Sequence, residues 1–328
     1  MAIKWTRKTK DSKSYIKNNK NKEYTYKRKH LRKKLWLWGI TAIAFLLVLW
    51  CVSVERKARY LPEYSKVNIE EYLTKEKLTD EDYELLFLQT GLARPGVDAL
   101  RREGRQKELL DLQERLFAHI PIVCRANTIV TREERIAESG ETAEYLHIPF
   151  GKSSRKNKSE NQSTDNCFAI IPYIEDGDIL ITFNSHALGW RNGHAALVVD
   201  AKKRLTLEAL VLGSNSAVLS LEHWTSYPSF AVLRLKNATE KERKAIVDFA
   251  MEQLVDIPYR LTAGWQRKGD TMAPLTGTHC SHLIWYAYNQ FGYDLDSDGG
   301  LIVTPRDLYE SPLLEVIQTY GMPIVIEE

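Results

Sequence analysis

Cysteine is scarce in this chain, with four residues among 328. So few cysteines cannot build the disulfide scaffold that holds small secreted domains together. Cys124 and Cys167 could pair in an oxidising compartment, but their spacing does not show that they do. Cys51 falls in an apolar run, and Cys280 is the cysteine that we expect to be free. The sequence also has no internal repeat, which excludes a repeat architecture.

Long apolar runs are equally rare, and the chain has one, LWLWGITAIAFLLVLWCVSV at residues 35–54. The run carries no charge and is long enough to cross a bilayer. Residues 1–34 hold fourteen Lys and Arg against two acidic residues. The positive-inside rule then predicts a basic cytoplasmic tail (1–34), a single transmembrane helix (35–54) and an extracytoplasmic remainder.

Two other interpretations of this run stay open. A cleaved signal peptide is disfavoured by the long basic segment and by the lack of a small-x-small cleavage site. A buried core helix is disfavoured by the flanking charges. The basic tail could bind nucleic acid, but beside a membrane span it fits anionic lipid better. Residues 35–328 carry 32 basic against 41 acidic groups, so we expect no nucleic-acid partner.

Three further segments follow the apolar run. Residues 55–150 read as a helical membrane-proximal segment, with one helix starting after Thr79 and ending at Gly91. The polar run GKSSRKNKSENQSTDN at 151–166 predicts a loop or linker. Residues 167–328 contain the strand and helix patterns that carry the chemistry, and we expect them to form the catalytic domain.

The segment GTHCSHLIWYAYNQFG predicts an apolar helix that begins near Cys280. Thr278 is an acceptable N-cap, and Gly292 ends the helix. Apolar residues repeat between them at helical spacing, at Leu283, Ile284, Ala287, Tyr288 and Phe291. Cys280 then lies in the first turn on the core-facing stripe. The helix dipole favours a thiolate there, and free backbone N–H groups can hold an oxyanion.

A histidine and a glutamate on neighbouring strands complete the pattern of a thiol hydrolase. GDILITF predicts a strand after a Gly-Asp turn, HAALVVD predicts a second strand, and RLTLEALVL predicts a third after the polar turn at 201–203. If Val199 pairs with Lys203, His194 lies opposite Glu208 on one face. The carboxylate would then fix the imidazole tautomer and stabilise its charged form. Taken singly, each residue has a plainer interpretation: an inert buried cysteine, a strand-end histidine or a solvent-facing glutamate.

The order GDILITF, GHAALVVD, LEAL, DIPYR, HCSHLIWYAY, VTPRDLYES resembles the circularly permuted, NlpC-type papain-fold hydrolases of the YiiX kind. The resemblance covers residues 165–328, about half of the chain, and lecithin–retinol acyltransferase is a more distant relative. It implies that Cys280 is the nucleophile, His194 the base and Glu208 the orienting group. Two features depart from that family: Arg260 stands where an acidic residue is common, and His279 directly precedes the cysteine.

The resemblance also implies the fold. We expect an α+β, permuted papain-like domain, with a small antiparallel sheet packed on the cysteine helix, preceded by the transmembrane helix and the helical segment. Trp190 and Tyr259 lie near the motif residues and are candidate walls of a substrate groove. Arg260 is a candidate partner for an anionic substrate, since arginine pairs carboxylate and phosphate bidentately.

These inferences predict a membrane-anchored thiol hydrolase that cleaves amide bonds of a cell-envelope substrate through a cysteine acyl-enzyme. The resemblance allows cell-wall peptides and lipid-linked amides. Two alternatives stay open: a catalytically inactive papain-fold module that binds an envelope ligand, and a regulator that works through its basic tail.

We expect neither a metal nor a cofactor. DLDSDGG places acidic residues at calcium-loop positions, but Pro305 stands where the bidentate glutamate belongs. His279, Cys280 and His282 have zinc-ligand chemistry. The strand histidine explains Cys280 better.

Overall fold

The computed structural model describes residues 31–48, 60–118, 129–130, 145–146, 169–187, 190–191, 193–264 and 275–322. They belong to two compact units, one within residues 1–54 and one within 55–328. The predicted basic tail (except its last four residues), the predicted linker at 151–166 and three of the four cysteines lie outside the described residues.

The prediction of a transmembrane helix over 35–54 is wrong. The described part of this segment is one helix, α1, at residues 31–48. Throughout the described ranges, no helix combines the length and the apolar character that crossing a bilayer requires. The described part of helix α1 also includes Arg32, Lys33 and Lys34. The membrane anchorage and topology were inferred from this span, and they lose their support with it.

Four short helices open the second unit. They are α2 (Glu70–Thr74), α3 (Asp80–Thr90), α4 (Arg94–Arg102) and α5 (Glu108–Phe117). Helix α3 starts and stops where the sequence predicts, because Thr79 forms a capping box with Asp82 and Gly91 takes the left-handed C-cap conformation. The helices bury a leucine-rich cluster of their own, which includes Leu86, Leu100 and Leu109.

A six-stranded antiparallel sheet forms the centre of the unit, in the order β10-β9-β3-β6-β7-β8. Its strands are β3 (Ile179–Thr182), β6 (His194–Asp200), β7 (Leu205–Glu208), β8 (Ala217–Ser220), β9 (Phe230–Leu235) and β10 (Leu314–Tyr320). Two-residue strands form two further pairs: β1 (Ile129–Val130) with β2 (Tyr145–Leu146), and β4 (His186–Ala187) with β5 (Trp190–Arg191).

Both faces of the sheet are covered, and the cysteine helix covers one of them. Helices α6 (Glu240–Gln253) and α7 (Cys280–Asn289) share a buried cluster with one face. The 3-10 helix Leu221–Ser226 and the chain around Ile171 pack on the other. A short helix α8 (Pro305–Tyr309) follows α7. The second unit is therefore α+β, with an antiparallel sheet packed on the cysteine helix.

The helical segment is attached to the sheet along β10. Ala93 N–H donates to the Ile317 carbonyl at 2.8 Å, and Thr319 N–H donates to the Gly91 carbonyl at 2.7 Å. A β-carbon on Gly91 would lie 2.0 Å from the Thr319 carbonyl oxygen, so the close approach requires glycine. The chain between α3 and α4 thus continues the sheet beyond its last strand.

A buried ion pair joins the start of β3 to β9. Asp178 is fully buried, and both its oxygens accept from the Arg234 guanidinium, each at 2.7 Å. Arg234 also donates to the Tyr173 hydroxyl at 2.8 Å. The aspartate of the Gly-Asp turn therefore has a structural role, since it joins β3 to β9.

Candidate active site

His194 occupies the first position of β6, and the preceding glycine makes room for it. Gly193 has φ 73°, and a β-carbon there would lie 2.7 Å from the Thr182 carbonyl oxygen. Thr182 is also the residue that pairs with His194 across β3 and β6. The imidazole is 3% exposed and stacks on Trp224, with ring centroids 5.4 Å apart and planes 14° apart. The ring is therefore held in one orientation.

The strand register differs from the predicted one by two residues. Leu197 pairs with Leu207, and Val198 with Thr206, after an irregularity between Val198 and Asp200. Val199 therefore does not pair with Lys203, contrary to the prediction. A shift of two preserves the face on which each side chain points. Glu208 consequently reaches His194 diagonally, across the same face.

Glu208 is the centre of a buried hydrogen-bond network. One carboxylate oxygen, Oε2, lies 2.6 Å from His194 Nε2. The other, Oε1, accepts from Trp224 Nε1 at 3.0 Å and from the Thr206 hydroxyl. Burial by itself would raise the pKa of Glu208, but the charge of His223 and the hydrogen bond and charge of His194 hold it well below its usual range. The carboxylate is thus charged and fixed on the imidazole.

His223 is a second imidazole at this carboxylate, and its place in the site was not predicted from the sequence. Its Nδ1 lies 2.6 Å from the Ser220 carbonyl, which can only accept, so Nδ1 carries hydrogen. Its Nε2 lies 3.4 Å from Glu208 Oε1, an ion-pair contact without hydrogen-bond geometry. Burial would lower the pKa of His223, but the charge of Glu208 raises it. The sequence signal was LEHWTSYP, which supplies both His223 and Trp224 directly after a strand.

Replacing Trp224 by phenylalanine is expected to lower the free energy of unfolding by about 1.5–3 kcal/mol, because a buried carboxylate oxygen loses a donor. Urea denaturation measures it. Trp285→Phe is the matched control: its indole donates to Asp294 at 2.7 Å, and Asp294 is exposed, so water can replace the lost donor. Equal losses in the two variants would contradict a special role for the Trp224 N–H.

Cys280 is the first residue of α7, and its N-cap is His279 rather than the expected Thr278. His279 Nδ1 accepts the His282 backbone N–H at 3.4 Å. Thr278 is held in a bridge with Tyr259, which extends its backbone and moves the cap one residue along. The Cys280 side chain is buried at the N-terminal end of the helix, where the helix dipole stabilises a thiolate.

The electrostatic environments of Cys280 and His194 favour a thiolate beside an imidazolium. Burial would raise the pKa of the Cys280 thiol, but hydrogen bonds and charges from His194 and His279 lower it to about 5. Burial would likewise lower the pKa of His194, but hydrogen bonds to Cys280 and Glu208, with their charges, raise it to about 10. Since Glu208 takes Nε2, the Nδ1 side of the ring is left for the thiol. His194 and Glu208 are thus in hydrogen-bond contact, and Cys280 interacts electrostatically with the same imidazole.

The predicted substrate-binding residues lie on two segments. Residues 258–260 run beside the chain that leads into Cys280, with Arg260 N–H donating to the Thr278 carbonyl at 2.7 Å. Tyr259 is half-buried against the cluster that contains Cys280. Arg260 is exposed, and its stem fills the space where a β-carbon of Gly277 would stand. Trp190 lies in β5, but its side chain lies outside the described part of the chain.

The acidic loop after α7 brings three carboxylates near one another. Ligand oxygens of Asp296, Asp298 and Asp307 lie within 4.8 Å of each other. Each carboxylate also accepts a local hydrogen bond, from Gly299 N–H, Gly300 N–H and Thr304 N–H respectively. These bonds shape the loop and cap α8, and they account for the acidic residues without a metal.

Comparison with known proteins finds weak similarity to solved structures. No family model matches the chain, and no curated protein does. A solved structure, the crystal structure of metalloprotein yiiX from Escherichia coli O157:H7, DUF1105, is 14% identical with a TM-score of 0.36. The match covers 45% of this chain and 98% of that chain. At this level of similarity, the function has to follow from the residues of the site itself.

Proposed function

We propose that this protein is a thiol hydrolase that cleaves an amide bond through an acyl-enzyme on Cys280. The observation that carries the proposal is the buried contact of His194 with Glu208, in which Trp224 and Thr206 hold the carboxylate from its far side. The same imidazole lowers the pKa of the buried Cys280 thiol. A structural cysteine needs none of these partners. A nucleophile needs a base, and the base needs a group that orients it.

In the first half-reaction, the Cys280 thiolate attacks the acyl carbon. The new C–S bond forms, and the carbonyl electron pair moves to oxygen to give a tetrahedral oxyanion. When that pair returns, the C–N bond breaks and the leaving amine takes the proton from His194 Nδ1. Throughout, Glu208 stabilises the charged imidazole and keeps its tautomer.

In the second half-reaction, water attacks the thioester. His194 Nδ1 takes one water proton, the hydroxyl adds to the acyl carbon, and collapse of the tetrahedral intermediate returns the thiolate. The product is a carboxylic acid, and the ion pair is restored with the proton again on His194. Each half-reaction therefore balances in atoms and charge.

For the substrate, we propose an acyl compound with a carboxylate or phosphate near the scissile bond. Arg260 supports this, since it is an exposed cation directly after Tyr259, which forms the bridge with Thr278. Its guanidinium lies 3.5 Å from the Thr276 hydroxyl. Among the described residues, no carboxylate lies closer to it. Cell-wall peptides and lipid-linked amides of amino acids both carry such an anion.

The substrate test offers casein, muropeptides and acylated amino acids in parallel to the wild type and to Cys280→Ala. We expect release from muropeptides or from acyl amino acids, weak cleavage of casein, and loss of turnover in Cys280→Ala. Mass spectrometry of the products identifies the bond. Brisk Cys280-dependent cleavage of casein alone would overturn the anionic substrate. Binding of muropeptides without any turnover would favour the inactive binding module.

A further inference from the structure

His279 has a buried nitrogen that no structural role explains. The side chain is 6% exposed. Its Nδ1 accepts the His282 backbone N–H as the helix cap, so the hydrogen of the neutral ring resides on Nε2. Yet Nε2 is buried with no hydrogen-bond partner among the residues that the structure describes. A buried donor left unpaired lowers the stability of the folded protein by about 1–3 kcal/mol. A residue with only a structural role would not be expected to carry one.

The unpaired donor is adjacent to the nucleophile. His279 directly precedes Cys280 in the chain, and its side chain helps to lower the pKa of the thiol. The neighbouring His282 has a partner of its own, because its Nδ1 contacts the Thr278 hydroxyl at 3.1 Å. Burial lowers the pKa of His282 to about 3, so its ring is neutral.

We propose that His279 is a catalytic residue whose Nε2–H, together with the Cys280 backbone N–H, binds the oxyanion of the tetrahedral intermediate. This inference rests on the proposed hydrolase. In the resting enzyme this buried donor has no hydrogen-bond partner among the described residues. When sulfur attacks and the carbonyl pair moves to oxygen, the new charge gives Nε2–H the acceptor it lacks. A donor satisfied only in the transition state accelerates the reaction without tightening ground-state binding.

Two isosteric variants separate the two nitrogens of His279. In His279→Asn, the amide oxygen can take the Nδ1 position and keep the helix cap, but nothing reaches the Nε2 position. In His279→Gln, the amide N–H can take the Nε2 position, while the cap acceptor is lost. A capping role predicts that Asn preserves function better. An oxyanion role predicts the opposite order.

The experiment compares two reactions of Cys280 in the full chain. Acylation by p-nitrophenyl acetate, measured as a burst of p-nitrophenol, passes through an oxyanion. Alkylation by iodoacetamide displaces iodide and forms none. Both are measured where the alkylation rate of each variant no longer changes with pH. We expect His279→Asn to lose about 100-fold in acylation relative to alkylation, and His279→Gln to lose much less.

Each other outcome is decisive. Equal loss of acylation and alkylation in His279→Asn would show that His279 acts only by stabilising the thiolate, and it would overturn the proposal. No loss in either reaction would overturn it as well. If His279→Asn does not fold, a His279→Gln ratio that falls by the full 100-fold also overturns it, and a ratio near that of the wild type supports it. A wild type that shows neither a burst nor fast alkylation overturns the hydrolase itself.

Discussion

Alkylation of Cys280 by iodoacetamide is expected to begin as the pH rises through about 5, the pKa of the thiol in its site. Below that pH the thiol is protonated and unreactive. The rate should then stay level until about pH 10, where His194 loses its proton. An ordinary thiol, with a pKa of about 8.5, would begin to react more than three pH units later. Mass spectrometry of the labelled protein over a pH series measures the profile.

In His194→Ala the onset should move toward or above that of an ordinary thiol, since burial raises the pKa of Cys280 and only His279 still lowers it. A thiolate of higher pKa is intrinsically more nucleophilic, so the loss of thiolate is partly offset. We expect alkylation about tenfold slower than wild type at pH 6, but faster at pH 9.5.

Two controls limit the interpretation of this profile. Cys280→Ser should take no label at the site. His282→Gln should keep an onset near that of the wild type, because the pKa of His282 is about 3 and its ring is uncharged in this range. A wild-type onset near pH 8.5, shared by His194→Ala, would contradict the ion pair.

Asp178→Asn is expected to lower the free energy of unfolding by about 3–5 kcal/mol. The substitution keeps the shape of the side chain but leaves the Arg234 guanidinium buried without its main countercharge, since both Asp178 oxygens pair with it. Glu175, whose carboxylate lies 3.1 Å from Arg234, offsets part of the loss. Urea denaturation measures the change in unfolding free energy.

The matched control is an exposed pair. Lys244 and Asp248 are 2.6 Å apart with both side chains more than half exposed, so Asp248→Asn should change stability by less than about 1 kcal/mol. Adding Arg234→Met to Asp178→Asn should recover part of the loss, because no buried charge remains unpaired. A double variant less stable than Asp178→Asn would show that the arginine acts through its packing instead.

Features set by nearby residues could be predicted from the sequence. The apolar repeat that predicts a helix from Cys280 is local, and α7 forms there. The strand carrying His194 and the strand ending at Glu208 follow from alternation and a polar turn, and both form. Since a strand has a period of two, the register error of two residues still leaves Glu208 and His194 on one face.

Features set by distant residues could not be predicted. Trp224 reaches Glu208 through a 3-10 turn after β8, and no periodic pattern indicates that contact. The helix cap moved from Thr278 to His279 because Tyr259, nineteen positions earlier, pairs with Thr278. Counting apolar residues in the run at 35–54 could not show where a helix begins, and the described part of α1 includes charged residues.

The attachment of α3 and α4 to β10 can form only late during synthesis on the ribosome. Leu92 bridges Gln318, more than 200 positions later in the chain, so the ribosome must add more than 200 further residues before that edge can close. At typical rates of about 5–20 residues per second, the wait is about 10–45 s. During it, the close-packed Gly91 turn has nothing to pack against. During this wait, the helical segment of the nascent chain is therefore the region that we most expect a chaperone to bind.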